Sequence, residues 1–328
     1  MSLDFHKDHR LLFGTVLVVF VVLTLIIAIW PAWWVQTNNQ PLPASERMTD
    51  RERRGLQVYV SEGCVYCHTQ QVRPLPQDTS RYGRPSAPGD YARLEPTGLW
   101  RQTPSVLGTE RTGPDLSNIG ERQPGATWHH IHLYQPRALV EGSVMPAYPW
   151  LYQVKARPDS GDTVVPVPDE HGPDGGAVVA TERAEALVAY LQSLQQPPLP
   201  NRGTTTSAEA ETARDGPSGS QVYQSRCASC HQPDGSGVQG AYPPLTGDPV
   251  VTAQDPTRHI EIVLYGLEGK TIDGVSYPAA MPGWGDRLSD EAVAAVVNHE
   301  RTSWGNDAPT VTAEDVAAVR EEGPPDGE

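Results

Sequence analysis

The four cysteines of this 328-residue chain fall in two identical patterns, Cys64-Val65-Tyr66-Cys67-His68 and Cys227-Ala228-Ser229-Cys230-His231. Cys-x-x-Cys-His is the attachment pattern of a c-type haem. Two thiols three positions apart can each form a thioether to one of the two haem vinyl groups, and the adjacent His falls beneath the iron as its proximal ligand. A zinc site built from two Cys-x-x-Cys pairs would separate them by about 15–20 residues, whereas Cys67 and Cys227 stand 160 positions apart. A thioredoxin-like redox pair needs no His and expects a βαβ setting. Disulfides stay open to a chain outside the cytoplasm. Both motifs end in His and together they use every Cys, which points to two covalently bound haem c groups.

A sixth iron ligand must come from elsewhere in each half. The chain has 4 methionines, and Met1 and Met48 precede both motifs. Met145 lies 77 positions past His68, and Met281 lies 50 past His231. Each is followed by Pro in a loop of Gly and Pro, a poor setting for a core-filling Met. For the first haem, the cluster His129, His130 and His132 is the competing source of a ligand. His/Met ligation fills both axial positions and raises the potential, which suits electron transfer rather than substrate chemistry at the iron.

The elements that must position these groups repeat as well. Gly55-x-x-x-Tyr59 precedes the first motif and Gly219-x-x-x-Tyr223 the second, each on a short helix leading into the site. Thr49 with Glu52 forms a capping box for the first of them. A Pro-x-Leu follows each motif, at Pro114-Asp115-Leu116 and Pro243-Pro244-Leu245. Each half closes on an amphipathic helix, about Glu182–Leu194 and about Asp290–Arg301, the second with Ser289 as N-cap. This is an all-α organisation. Units this small bury little apolar surface unaided, and a covalent haem would serve as the missing core. Pro (32) and Gly (30) are abundant, which predicts long loops.

Between Arg10 and Glu46 there is no charged residue, and Leu11–Trp30 is a nearly unbroken apolar run. Twenty residues at 1.5 Å each span about 30 Å, the hydrocarbon thickness of a bilayer. Trp30, Trp33 and Trp34 sit where an aromatic belt would lie, and Lys7 and Arg10 flank the other end. The positive-inside rule puts the N-terminus in the cytoplasm and the rest outside. A cleaved signal peptide would have a shorter apolar stretch and a small-residue cleavage site. The net charge of −15 argues against nucleic acid as a partner. Residues 201–328 carry −12 of it, so the last third is either simply soluble or built to steer a basic partner.

The stretch from Gly55 to Trp150 resembles the membrane-anchored haem c subunit II of cbb(3)-type cytochrome c oxidases, the FixO-like family. The residues that carry the resemblance are Gly63–Gln70, Val72-Arg73-Pro74, Arg81-Tyr82-Gly83, Arg111–Leu116, Trp128–Leu133, Pro136-Arg137 and Met145–Leu151, with Ala186–Gln192 behind them. The resemblance covers residues 1–195, anchor included. It implies that His68 and Met145 ligate the first haem. It also implies Arg73 and Arg137 as propionate partners, since the Arg fork pairs bidentately with carboxylates. Pro114 and Pro243 would each offer a carbonyl to the Nδ1–H of the proximal His, fixing its tautomer. Two departures stand out: a family subunit carries one haem, and a Pro/Gly/Asp-rich insert at about Ala156–Ala180 stands outside the pattern. The second half, about Gly216–Arg320, resembles class I cytochrome c modules fused to terminal oxidases and quinoprotein dehydrogenases. It does so through Cys227–His231, Tyr242–Leu245, Met281–Trp284 and Thr302–Asn306.

The expected organisation is a cytoplasmic N-terminus (1–10), a transmembrane anchor (11–35), a first cytochrome c domain (48–195), a flexible linker (196–217) and a second cytochrome c domain (218–320). The expected function is that of a membrane-anchored dihaem cytochrome c of the bacterial cytoplasmic membrane, its haem domains periplasmic. It would pass electrons from a soluble or quinol-oxidising donor to the catalytic subunit of a haem–copper oxidase. The chain has no His-rich membrane helices, so it would not be catalytic alone. Two rival readings are the cytochrome c subunit of a nitric oxide reductase and a free-standing membrane-tethered shuttle.

Overall fold

The computed structural model describes residues 7–38, 42–91, 106–199 and 218–325. Helix α1 runs without a break through His9–Leu23, a π-helical stretch over Thr24–Ile29, and Trp30–Asn38. Pro31 explains the widened turn: it has no N–H to give back, and its ring crowds the preceding turn. Asp8 caps the start by accepting from the Arg10 and Leu11 N–H groups. By length and composition, His9–Trp34 is able to cross a membrane, and none of that segment is buried against the rest of the chain.

Helix α2 is Asp50–Ser61, opened by the Thr49/Glu52 capping box. Helix α3 is Ala126–Tyr134. Three strands follow, β1 (Tyr152–Lys155), β2 (Val164–Val165) and β3 (Ala177–Ala180), and then helix α4 (Glu182–Ser193), N-capped by Thr181. The insert therefore folds as a small antiparallel sheet of order β1-β3-β2, with Tyr152 opposite Ala180 and Val165 opposite Val178. Val165 and Val178, paired on one face of the sheet, are buried in the apolar cluster of the first half, so the insert is packed onto that core. Lys155 bridges Asp159 (2.9 Å) and Asp162 (2.7 Å) across the first bend.

In the second half, α5 (Gly219–Val222) passes through a π-helical stretch over Tyr223–Cys227 into a last turn at Ala228–His231. Helix α6 is Thr257–Tyr265, α7 is Asp290–Thr302 with Ser289 as N-cap, and α8 is Ala313–Glu322. Between α6 and α7 lie two two-stranded ribbons, β4 (Gly266–Leu267) with β7 (Met281–Pro282), and β5 (Lys270–Ile272) with β6 (Val275–Tyr277). The chain is mostly helical, as its periodicity predicts, with these short strands as the addition.

Each half has its own buried cluster. One is built around Tyr59, Ile131, Leu151, Leu187 and Tyr190, the other around Tyr223, Ile260, Val293, Val296, Val297 and Val316. The sequence repeat becomes a repeated packing. In the first half Gly55 of α2 abuts the Ala186 carbonyl of α4, and in the second Gly219 of α5 abuts the Ala295 carbonyl of α7. One turn further on, Tyr59 meets Tyr190 at 5.4 Å and Tyr223 meets His299 at 5.3 Å between ring centroids. The expected linker 196–217 lies mostly outside the described residues. The two halves nevertheless touch: Ala241, Tyr242 and Ala279 of the second belong to the apolar cluster of the first.

Candidate haem-binding sites

Helix α2 delivers the chain to Gly63, whose φ of +76° is a left-handed turn open to glycine. A 3-10 turn over Cys64–Tyr66 follows, closed by the Cys67 N–H donating to the Cys64 carbonyl at 3.2 Å, to which the His68 N–H also donates at 3.0 Å. His68 Nδ1 then donates to the carbonyl of Pro114 at 2.8 Å. This bond fixes the proton on Nδ1 and leaves Nε2 as the free lone pair. Burial lowers the His68 pKa, which keeps the imidazole neutral and able to ligate. Gly113 lies flat against the ring, and a Cβ there would come within 2.7 Å of His68 Nδ1.

The loop that holds Pro114 is fastened by Asp115, which is fully buried. Its carboxylate accepts from Thr69 Oγ1 (2.6 Å), the Gln71 N–H (2.8 Å) and the Ser117 N–H (2.8 Å), and pairs with Arg111 (3.3 Å). A buried carboxylate with this many donors is satisfied and rigid. Asp115 and Gly113 are visible in the sequence as neighbours of Pro114, but their work is set by contacts 44–46 residues away in the chain.

Met145 is half-buried and packs on the first apolar cluster, as do Cys64 and Tyr148. Its loop is pinned beside the first motif, because Trp150 Nε1 donates to Glu62 Oε2 at 2.9 Å, two residues before Cys64. Of the competing histidines, His129 Nε2 is engaged with the Gln123 carbonyl (2.8 Å) and His130 Nδ1 with the Tyr152 hydroxyl (3.3 Å). His132 stacks on Trp128, their rings 4.5 Å apart. Both nitrogens of the Arg73 fork go to Asp78, at 2.8 and 2.9 Å, and Arg111 holds the same carboxylate. Arg137 is exposed and has no polar partner among the described residues.

The second site repeats the first. His231 is buried and its Nδ1 donates to the carbonyl of Pro243 at 2.9 Å. Cys227, Cys230, His231, Pro243 and Met281 all line one mainly apolar cleft, of about 1010 Å³ with its open mouth included. Among the described residues, three buried polar atoms on its lining have no partner, Arg226 Nη1, Tyr242 Oη and His259 Nδ1. His259 Nε2 is held by Glu300 at 2.8 Å. An apolar cleft with paired thiols, an oriented imidazole, a thioether sulfur and unpaired nitrogens on its wall is the donor set that a haem with its propionates requires.

Burial pushes Cys64 and Cys230 up to about 12, and Cys227 well above its ordinary value. Desolvation therefore favours the neutral thiol at these three positions over the thiolate that zinc or a reactive redox pair needs. Among the described residues, no three His, Cys, Asp or Glu side chains converge as a metal site would need.

Comparison with known proteins divides the chain in the same place. Residues 4–172 match the family described as cytochrome C oxidase, mono-heme subunit/FixO, and residues 214–299 match cytochrome C oxidase, cbb3-type, subunit III. The chain is 39% identical over 148 residues to the cytochrome c subunit of the quinone alcohol dehydrogenase of Gluconacetobacter polyoxogenes, a match covering 43% of this chain and 31% of that protein. It is 38% identical over 143 residues to the gluconate 2-dehydrogenase cytochrome c subunit of Pantoea cypripedii (42% of this chain, 32% of that protein). It is 40% identical over 112 residues to cytochrome c-552 of Thermus thermophilus, covering 31% of this chain and 83% of that protein. The chain thus spans about a third of the length of the dehydrogenase subunits it matches.

Proposed function

This chain belongs to the FixO family of cytochrome c oxidase subunits, and from that premise we propose that it is a membrane-anchored dihaem cytochrome c that feeds electrons to a haem–copper oxidase. The observation that carries the reading is the repeated pair of an oriented imidazole and a prolyl carbonyl, His68 with Pro114 and His231 with Pro243, each beside two cysteines. Bound at each motif, haem c supplies one-electron transfer.

The residues of the chain then divide the labour. Cys64 and Cys67, with Cys227 and Cys230, hold the two groups covalently. His68 and Met145 ligate the first iron, His231 and Met281 the second. Arg137, which has no polar partner among the described residues, and Arg226 Nη1 would be the groups left to pair with propionates, while Arg73 already holds a carboxylate of its own chain. Helix α1 spans the cytoplasmic membrane with Lys7 and Arg10 inside, placing both haem domains on the outer side. The acidic second half receives a donor, and the anchored first half delivers to the catalytic subunit.

A second reading, the cytochrome subunit of a quinone-dependent dehydrogenase, is favoured by the dehydrogenase relatives. The oxidase reading is preferred because the family match takes in the anchor as well as the first motif. Native purification from membranes decides between them by the identity of the co-purifying subunits. A haem–copper catalytic subunit supports the first, and a dehydrogenase flavin or quinoprotein subunit replaces it with the second.

A further inference from the structure

The second haem cleft is not lined by the second half alone. Gln123, Pro124, Gly125 and Trp128 of the first half form part of its wall. Trp128 Nε1 also donates to the carbonyl of Ser229 at 3.1 Å, inside the second Cys-x-x-Cys-His. Both flanks of that motif reach across as well: Arg226 Nη2 approaches Glu121 Oε1 at 3.5 Å, and Gln232 Nε2 donates to the Leu139 carbonyl at 3.4 Å.

The element that presents Trp128 is firmly held. Ile131 of α3 is fully buried, and His129 and His130 are nearly so. His129 Nε2 ties α3 back to the Gln123 carbonyl, so the wall and the helix are one unit. The Trp128 ring is clamped between His132, parallel at 13°, and His129, edge-on at 89°. An aromatic side chain fixed on two sides, with its single polar atom bonded across an interface, is a rigid joint.

We propose that Trp128 is a positioning residue for the second haem: the first half completes the second cofactor cleft, and Trp128 both walls it and holds its attachment loop. The inference rests on the reading that each motif carries a haem. It goes beyond that reading in making the second site dependent on a residue 99 positions before its motif. The two halves are then docked through a built interface, and the segment between them is a connection rather than the means of bringing them together.

The test uses the full-length haem-loaded protein in detergent, with covalent haems counted by mass and each centre titrated optically against potential. For Trp128→Ala, water entering the cleft favours the charged ferric state. The expected result is a roughly tenfold shift of the second centre toward its oxidised form at fixed ambient potential, equivalent to about 59 mV for one electron. The first centre should titrate as in the parent. Trp128→Phe keeps the ring and loses the N–H; it should shift the same centre the same way by less, and it decides the matter if the alanine variant does not fold. A parent protein with one haem would defeat the dihaem reading itself. Two haems with unchanged titration in the variants, or equal shifts at both centres, would overturn the role of Trp128.

Discussion

Gly55 packs against the backbone carbonyl of Ala186 with no room between them for a Cβ. The contact lets α2 and α4 cross at backbone distance, which sets Tyr59 against Tyr190 with their rings tilted at 58° and delivers Cys64 to the edge of the first apolar cluster. Gly219 and Ala295 make the same contact in the second half. The obstructing atoms are backbone, so they cannot swing aside as a side chain would. Gly55→Ala and Gly219→Ala should each cost about 1–3 kcal/mol through overpacking. Gly142→Ala, where open space surrounds the Cα, is the neutral control. Thermal unfolding followed at each haem should show each variant weakening its own half first.

Gly113→Ala should act on chemistry rather than on the fold at large. The added methyl would meet the His68 ring and push it off the Pro114 carbonyl. The expected outcome is an altered spectrum and a lowered potential at the first haem, with the second unchanged. Resolved redox titration of the two centres checks this.

Axial ligation is read optically. Met145→Leu and Met281→Leu should each remove about half of the weak far-red band of an oxidised His/Met haem. If Met145→Leu leaves the first haem spectrum intact, one of His129, His130 and His132 is its ligand. The bonds of His129 to Gln123 and of His130 to Tyr152 stand against those two in that role.

His129 also sets a pH dependence. Burial pushes its pKa down to about 4 and that of His130 down to about 4. In the unfolded chain each reverts to about 6.5. Between those values the unfolded chain binds more protons, so stability is full above pH 6.5 and falls as pH drops toward 4. The loss is on the order of 3 kcal/mol for His129 alone. Denaturant unfolding of the first half across this range should show the slope, and His129→Gln should reduce it by the share of that one histidine, with His130 and His132 carrying the rest.

The charge of −12 on residues 201–328 should appear in kinetics. The screening length is about 10 Å at 0.1 M salt, so such a field acts on encounter rates. Reduction by a basic soluble donor should slow steeply as salt rises, while transfer between the two centres of one chain stays flat. Stopped-flow reduction across a salt series measures both. A flat dependence for the donor step would leave the charge as a solubility feature.

Much was legible before any coordinates. Cys-x-x-Cys-His is a local pattern, so both motifs can be read from neighbouring residues alone as candidate haem-attachment sites. The anchor, the caps at Thr49, Thr181 and Ser289, and the closing helices follow from local hydrophobic period and local hydrogen bonding. The His68–Pro114 and His231–Pro243 pairs were expected from family resemblance and appear as bonds of 2.8 and 2.9 Å. The residues around 156–180 gave no such lead, because a sheet of two- and four-residue strands has too little period to show. An Arg fork suits any carboxylate, and it is the fold that shows Arg73 paired with Asp78. Trp128 belongs to a motif of the first half, and nothing local in that motif points to Ser229, 101 residues away. Local chemistry is written in neighbouring residues, whereas which half completes which cleft depends on long-range packing of surfaces that only the folded chain brings together.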